Sequence, residues 1–289
     1  EDTKDKNLLY AGTEKGIYIS RNGGQDWEAF QLNLPVTPIL DLKIAHEDLV
    51  VATSGRSFWI LDDLSWVREM QKSVTAAKIY TPEDTYLGNW YSQLSRSNSD
   101  FDGTDPFEGV NPANGVVLYY HLPENTTDST KISLEIHDSV GNLIRTISSE
   151  KDASFKVYDG GPSPEPTLSV KKGINRFVWN MRHATMPGIP TAYLEASYSG
   201  HQVIPGTYKL TLKSENQTTE TSVNIKANPL YKITLADYQE YDAFMKAREA
   251  ELTEMHHMVN EAMDYQTQLK SLLARTKGKE ELKALTEAG

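Results

Sequence analysis

The sequence predicts a mainly β protein with an α-helical C-terminal tail: partial β-propeller blades, then an Ig-like or fibronectin-like β-sandwich, then a helical hairpin or one long helix. Three observations carry this prediction. Residues 8–67 are short β-runs broken by turn residues, at the spacing of a propeller or sandwich. Residues 77–227 continue as β-runs with longer connections, and residues 234–276 contain neither Gly nor Pro and carry apolar groups at helical spacing. The implied units are 1–72 for the propeller blades, 73–228 for the sandwich with a long acidic loop at 92–114, and 229–289 for the helical part.

Composition limits the function classes. The 289 residues suit two or three domains, and their net charge of −11 comes without a basic stripe. Phosphate backbones demand clustered Lys and Arg, so nucleic acid is not an expected partner. No run approaches the roughly 20 apolar residues of a membrane span. The chain has no cysteine, which excludes disulfides and thiolate zinc sites. It opens on Glu1 rather than Met, so it reads as cut from a longer precursor.

In the first unit, LLYAGT, GIYISR and DWEAFQL supply three strands, and ILDLKIA, DLVVATS and SFWILDD supply three more. A propeller blade has about four. The first group reads as the end of one blade and the second as the start of the closing blade, with its missing strand upstream. Two partial blades leave sheet edges and an apolar face uncovered, so the expected partner of this unit is the upstream blades of the same protein or another chain. Within SFWILDD, Phe58 and Ile60 fall on one side of the strand and Trp59 and Leu61 on the other, so both faces are expected to be covered. Arg56 is expected to pair with Asp62 or Asp63, or to line a central channel.

The most informative short motif is SRNGGQDW, residues 20–27. It fits the Asp-box pattern Ser-x-Asp-x-Gly-x-x-Trp, with Asn22 where Asp is usual. Ser20 and Asn22 offer acceptor oxygens to loop amides, Gly24 tolerates a positive φ, and Trp27 covers the turn. The expected role is a structural staple of a hairpin.

These stretches resemble bacterial sortilin-like proteins with BNR (Asp-box) repeats, a group often labelled glycosyl hydrolase-like. Their closing pattern Ala-Thr-His-Gly-Arg-x-Phe/Ile-Trp-Ile-x-Asp-Asp is matched here by Ala52, Thr53, Gly55, Arg56, Phe58, Trp59, Ile60, Asp62 and Asp63, with Ser54 in place of His. NPANGVVLYYHLP, KKGINRFVWNMRH and VIPGTYKLTL fit the same group, so the resemblance extends to about residue 230. It implies an Ig-like or fibronectin-like domain after the propeller and an exported protein, periplasmic or at the surface of a bacterial cell.

The second unit also reads as a sandwich from its own residues. AAKIYTP and NGVVLYYHLP are early strands. KISLEIHDSVGNLIRTI is a hairpin in which Ile132, Leu134 and Ile136 alternate, residues 139–142 turn, and Leu143, Ile144 and Ile147 return. GINRFVWNMRH places Trp179 in the core. VIPGTYKLTLK turns at Pro-Gly and then points Tyr208, Leu210 and Leu212 inward, and TETSVNIKA closes the sheet. The acidic loop holds Asp100, Asp102 and Asp105 around Gly103, a fragment of a calcium-binding pattern and the sole cofactor candidate.

In the tail, Thr234 and Asp237 form a capping box. Tyr238, Tyr241, Met245, Leu252, Met255, Val259, Ala262, Leu269 and Leu273 then follow a coiled-coil-like spacing broken by Arg248 and Gln266. Some forty residues at about 1.5 Å each span on the order of 60 Å, and such a stripe is expected to be buried on a partner. EELKALTEAG begins a second arm. The adjacent His256 and His257 diverge on a helix and do not suit one metal.

No complete catalytic set is read in the chain. A glycosidase needs two carboxylates roughly 5–10 Å apart, and Asp62 and Asp63 on one strand face opposite sides. The expected function is therefore a non-catalytic protein- or glycan-binding or assembly scaffold. The alternative is the accessory part of a sialidase-like glycoside hydrolase with its catalytic residues upstream.

Overall fold

The structure, a computed structural model, describes residues 1–70, 74–88, 113–190, 192, 197–214 and 217–277. It is mainly β with a C-terminal helix. Asp100, Asp102 and Asp105, and the second helical arm from residue 278 onward, lie outside the described residues.

Two three-stranded antiparallel meanders open the chain. The first pairs β1 (Leu9–Thr13), β2 (Gly16–Ser20) and β3 (Glu28–Ala29); the second pairs β4 (Ile39–Ala45), β5 (Asp48–Thr53) and β6 (Phe58–Leu61). A short helix α1 (Ser65–Glu69) follows. One core joins these elements: Leu8, Ile17, Ile19, Leu49, Val51, Trp66 and Val67 are buried together, and Tyr80 closes the cluster.

The burial of β6 differs from the sequence expectation. Phe58 and Ile60 are 74% and 59% exposed, and Leu40 on β4 is 69% exposed. Phe58 pairs across β5 with Ala52, and Ile60 with Val50, so one apolar face of the sheet is open among the described residues. The reason is that β6 is an edge strand whose sheet packs on its core through the other face alone, where Leu49 and Val51 point.

The second region has two sheets over a shared core. The larger has the order β11-β10-β13-β14-β8, with β8 (Thr85–Tyr86), β10 (Ile132–His137), β11 (Leu143–Ser148), β13 (Gly206–Ser214) and β14 (Gln217–Lys226). The smaller is β12-β9-β7, with β7 (Lys78–Ile79), β9 (Val116–Leu122) and β12 (Gly173–Trp179). Alternation does the work: Val116, Leu118, Tyr120 and Leu122 point inward from β9, and Leu134 and Ile136 from β10 meet them. Gly115 is tied to this packing, since a Cβ there would stand 2.2 Å from the Trp179 carbonyl oxygen. Leu143 is exposed rather than returning inward, because the β10–β11 register shifts at Ile136/His137. Its neighbour Arg145 is buried instead, donating to Glu165 and to Asn180.

Helix α2 (Leu235–Thr276) runs 42 residues from the Thr234–Asp237 capping box. Tyr238 packs on the second core, yet Tyr241, Leu252, Met255, Val259 and Leu269 are exposed. Among the described residues this part of the apolar stripe is uncovered. A neighbouring polar stripe faces the body instead: Asp242, Glu249, His256 and Asn260 make its contacts. His256 donates through Nδ1 to the Pro187 carbonyl at 2.6 Å, and Asn260 donates to the Gly188 carbonyl at 2.8 Å.

Candidate functional site

The Ser20–Trp27 turn is closed by its own side chains. The Gly24 amide donates to Ser20 Oγ at 2.8 Å and the Asp26 amide to Asn22 Oδ1 at 2.9 Å. Ser20 Oγ in turn donates to Asn22 Oδ1 at 3.0 Å. The Trp27 indole donates to the Gly24 carbonyl at 3.1 Å, and Gly24 sits at φ +90°. Asn22 also donates through Nδ2 to Asp26 Oδ2 at 2.8 Å, a bond that an Asp in its place does not make.

The turn between β5 and β6 is built in a related way. The Arg56 amide donates to Thr53 Oγ1 at 3.1 Å, and the Trp59 indole donates to the Arg56 carbonyl at 2.9 Å. Gly55 takes φ +80°. Arg56 is exposed and its guanidinium donates to the Gly55 carbonyl at 3.0 Å, so the hydrogen bond it makes is to backbone, not to the carboxylates expected from sequence. Asp62 is exposed while Asp63 is buried at φ +58° and accepts from the Ser65 amide at 2.8 Å, at the start of α1. The motif residues thus shape a turn and a helix entry; they do not converge on a cleft.

A different cluster brings chemistry together. Residues 181–183 pair with 201–203 through the Arg182–Gln202 bridge, the His183 amide donating to the His201 carbonyl at 3.0 Å and the Val203 amide to Met181 at 2.8 Å. His183 and His201 are directly opposite, so their side chains share one face. The rings stack with centroids 4.0 Å apart and planes at 15°. Helix α2 adds Asp242 and Glu249, seven residues apart and so on one face.

His201 is held at both ring nitrogens: Nδ1 lies 2.8 Å from Glu249 Oε2 and Nε2 lies 3.0 Å from Asp242 Oδ1. Its amide also donates to Glu249 Oε1 at 2.6 Å. His183 Nε2 lies 3.8 Å from Asp242 Oδ1 and is a buried nitrogen without a hydrogen-bond partner among the described residues. Burial, then the neighbouring His201 and Lys246, push the His183 pKa down to about 4, so the ring is neutral at physiological pH. Burial lifts the Asp242 carboxyl, but hydrogen bonds from Lys246 and His201 outweigh it and hold the group below the usual carboxylate range. Lys246 reaches Asp242 Oδ2 at 2.8 Å, on the opposite oxygen from the histidines.

One potential ligand atom each from His183, His201 and Asp242 lie within 4.8 Å of one another. Among the histidines the sequence singles out only His256 and His257. His256 is buried against Pro187 and His257 is exposed, so that pair does not converge. The readable sign was the seven-residue spacing of Asp242, Glu249 and His256 beside the apolar stripe. Compared with protein families, curated proteins and solved structures, the chain matches none.

Proposed function

We propose that the chain is the C-terminal portion of an exported Asp-box propeller protein of the sortilin-like, BNR-repeat kind, working as a protein- or glycan-binding and assembly scaffold. The observation that carries this reading is the repetition of one device in successive meanders. A hydroxyl at the end of the middle strand accepts from a turn amide, Ser20 from Gly24 and Thr53 from Arg56. An indole then donates to the carbonyl three residues before it, Trp27 to Gly24 and Trp59 to Arg56. Repeated, self-stapled meanders are what a propeller stacks. The open face of Phe58, Ile60 and Leu40 is where a neighbouring blade would sit. The second region we read as the Ig-like sandwich; Tyr208 donates to the Ile204 carbonyl at 2.8 Å, as a tyrosine corner does.

The test compares the chain with a Phe58→Ser/Ile60→Ser variant by light scattering and by binding of a hydrophobic dye. The wild-type chain should self-associate or bind dye, and the variant should do so much less with an unchanged melting temperature. A wild-type chain that stays monomeric and dark overturns the open-blade reading. A glycan panel applied to the full-length protein and scored for both retention and hydrolysis separates scaffold from hydrolase: turnover supports the glycosidase alternative.

A further inference from the structure

We propose that His183, His201 and Asp242 form a binding site for a divalent first-row transition metal, zinc foremost, that fastens helix α2 to the ribbon formed by residues 181–183 and 201–203. This goes beyond the scaffold reading and does not depend on it.

The donor set fits zinc. Two imidazoles and a carboxylate oxygen are its common nitrogen and oxygen ligands. In a tetrahedral site, bonds of about 2.0–2.1 Å put ligand atoms roughly 3.3 Å apart. Here His201 Nε2 and His183 Nε2 stand 3.0 and 3.8 Å from Asp242 Oδ1. Three protein ligands leave the fourth position to water.

The surroundings also fit. Metal-bound histidines usually give their other nitrogen to a carboxylate, which fixes the tautomer and makes the ligand more basic. Glu249 stands at that place, on His201 Nδ1. The buried Nε2 of His183 lacks a hydrogen-bond partner among the described residues, so in the tautomer protonated at Nδ1 its lone pair is open to a metal. The site is shielded: the side chain of His201 is fully buried and those of His183 and Asp242 are 14% and 16% exposed.

Two features work against the ion, and both define what binding must do. Lys246 brings a positive charge to Asp242, which the carboxylate of Glu249 offsets. A metal lies in the plane of each imidazole it binds, so the stacked rings must hinge apart, and His183, which is tied by no side-chain hydrogen bond among the described residues, is the ring to turn. Whatever proton His201 carries on Nε2 leaves as the metal arrives.

The experiment titrates the metal-stripped chain with ZnCl2 by calorimetry, and with CoCl2 by visible absorption. The expected result is uptake of one ion per chain, with a rise in melting temperature that a chelator reverses. His183→Ala and Asp242→Ala should each weaken binding at least tenfold, and Glu249→Gln by about 10–100-fold. His257→Ala should change nothing. Absence of one-to-one uptake, or uptake unchanged in His183→Ala, overturns the proposal. Should the variants fail to fold, the ring nitrogens of the wild-type chain decide by NMR. Zinc must shift those of His183 and His201 and spare those of His46 and His121; shifts elsewhere only, or none, overturn it.

Discussion

Trp66 lies nearly flat against Tyr119, with ring centroids 4.7 Å apart and planes at 24°. Trp66 belongs to α1 and Tyr119 to β9, so this stack joins the core of the paired meanders to the smaller sheet of the second region. Trp66→Ala should destabilise the chain by about 3–5 kcal/mol, as expected for removing a buried aromatic ring. A double-mutant cycle with Tyr119→Ala, read by denaturant unfolding, should give a coupling of about 0.5–1.5 kcal/mol. Additive effects would show that the rings touch without supporting each other.

An Asp at position 22 should weaken the turn. Asn22→Asp removes the donor to Asp26 and sets two carboxylates side by side. A loss of about 1 kcal/mol in unfolding free energy is expected. The double variant Asn22→Asp/Asp26→Asn returns a donor and an acceptor to the pair and should recover most of it.

Arg68 is paired to Asp2 at 2.9 Å, and the Asp2 side chain is fully buried. Burial pushes the Asp2 carboxyl up, but hydrogen bonds from Arg68 and from the Lys4 and Asp5 amides prevail and keep it below its ordinary value of 3.8. This contribution to stability is present above pH 3.8 and is lost as pH falls through the lower folded value. Arg68→Ala leaves a buried carboxylate without its cation and should cost about 3–5 kcal/mol at pH 7. Urea melts across pH should show the deficit shrinking in acid.

Glu83 has the opposite sign. Burial, then the nearby carboxylates of Asp63 and Asp48, push its pKa from 4.5 up to about 7. Between those two values the folded chain holds a proton that the unfolded chain has released, so stability falls as pH rises through this window. Glu83→Gln should flatten that slope and raise the melting temperature at pH 8, with little effect at pH 4. An unchanged slope in the variant would place the proton elsewhere.

Much of the fold was legible because its strands alternate. The six runs of residues 8–67 show as strands, the longer runs of β9, β10 and β13 also show their inward side chains, and Thr234–Asp237 marks the start of α2. Strand β8 was not legible: two residues have no period, and its parallel pairing with β14 is a tertiary event. Arg145 was missed because its burial rests on Glu165, in an irregular segment twenty residues on. The His183–His201 pair was hidden for a similar reason. Each stands alone in the sequence, and only the pairing of 182 with 202 puts them on one face. The face of α2 that meets the body was not legible, because it is held by hydrogen bonds to Pro187, Gly188 and His201 rather than by an apolar stripe.

That orientation has a thermal consequence. Heat capacity rises on unfolding mainly as apolar surface meets water. Lifting α2 off its ribbon would uncover carboxylates, imidazoles and an amide along with Tyr238, while Tyr241, Leu252, Met255, Val259 and Leu269 are already exposed. The helix therefore should come away with a small heat-capacity change and the two-sheet core melt with a large one, so calorimetry would register the first as a shallow step and the second as the main transition.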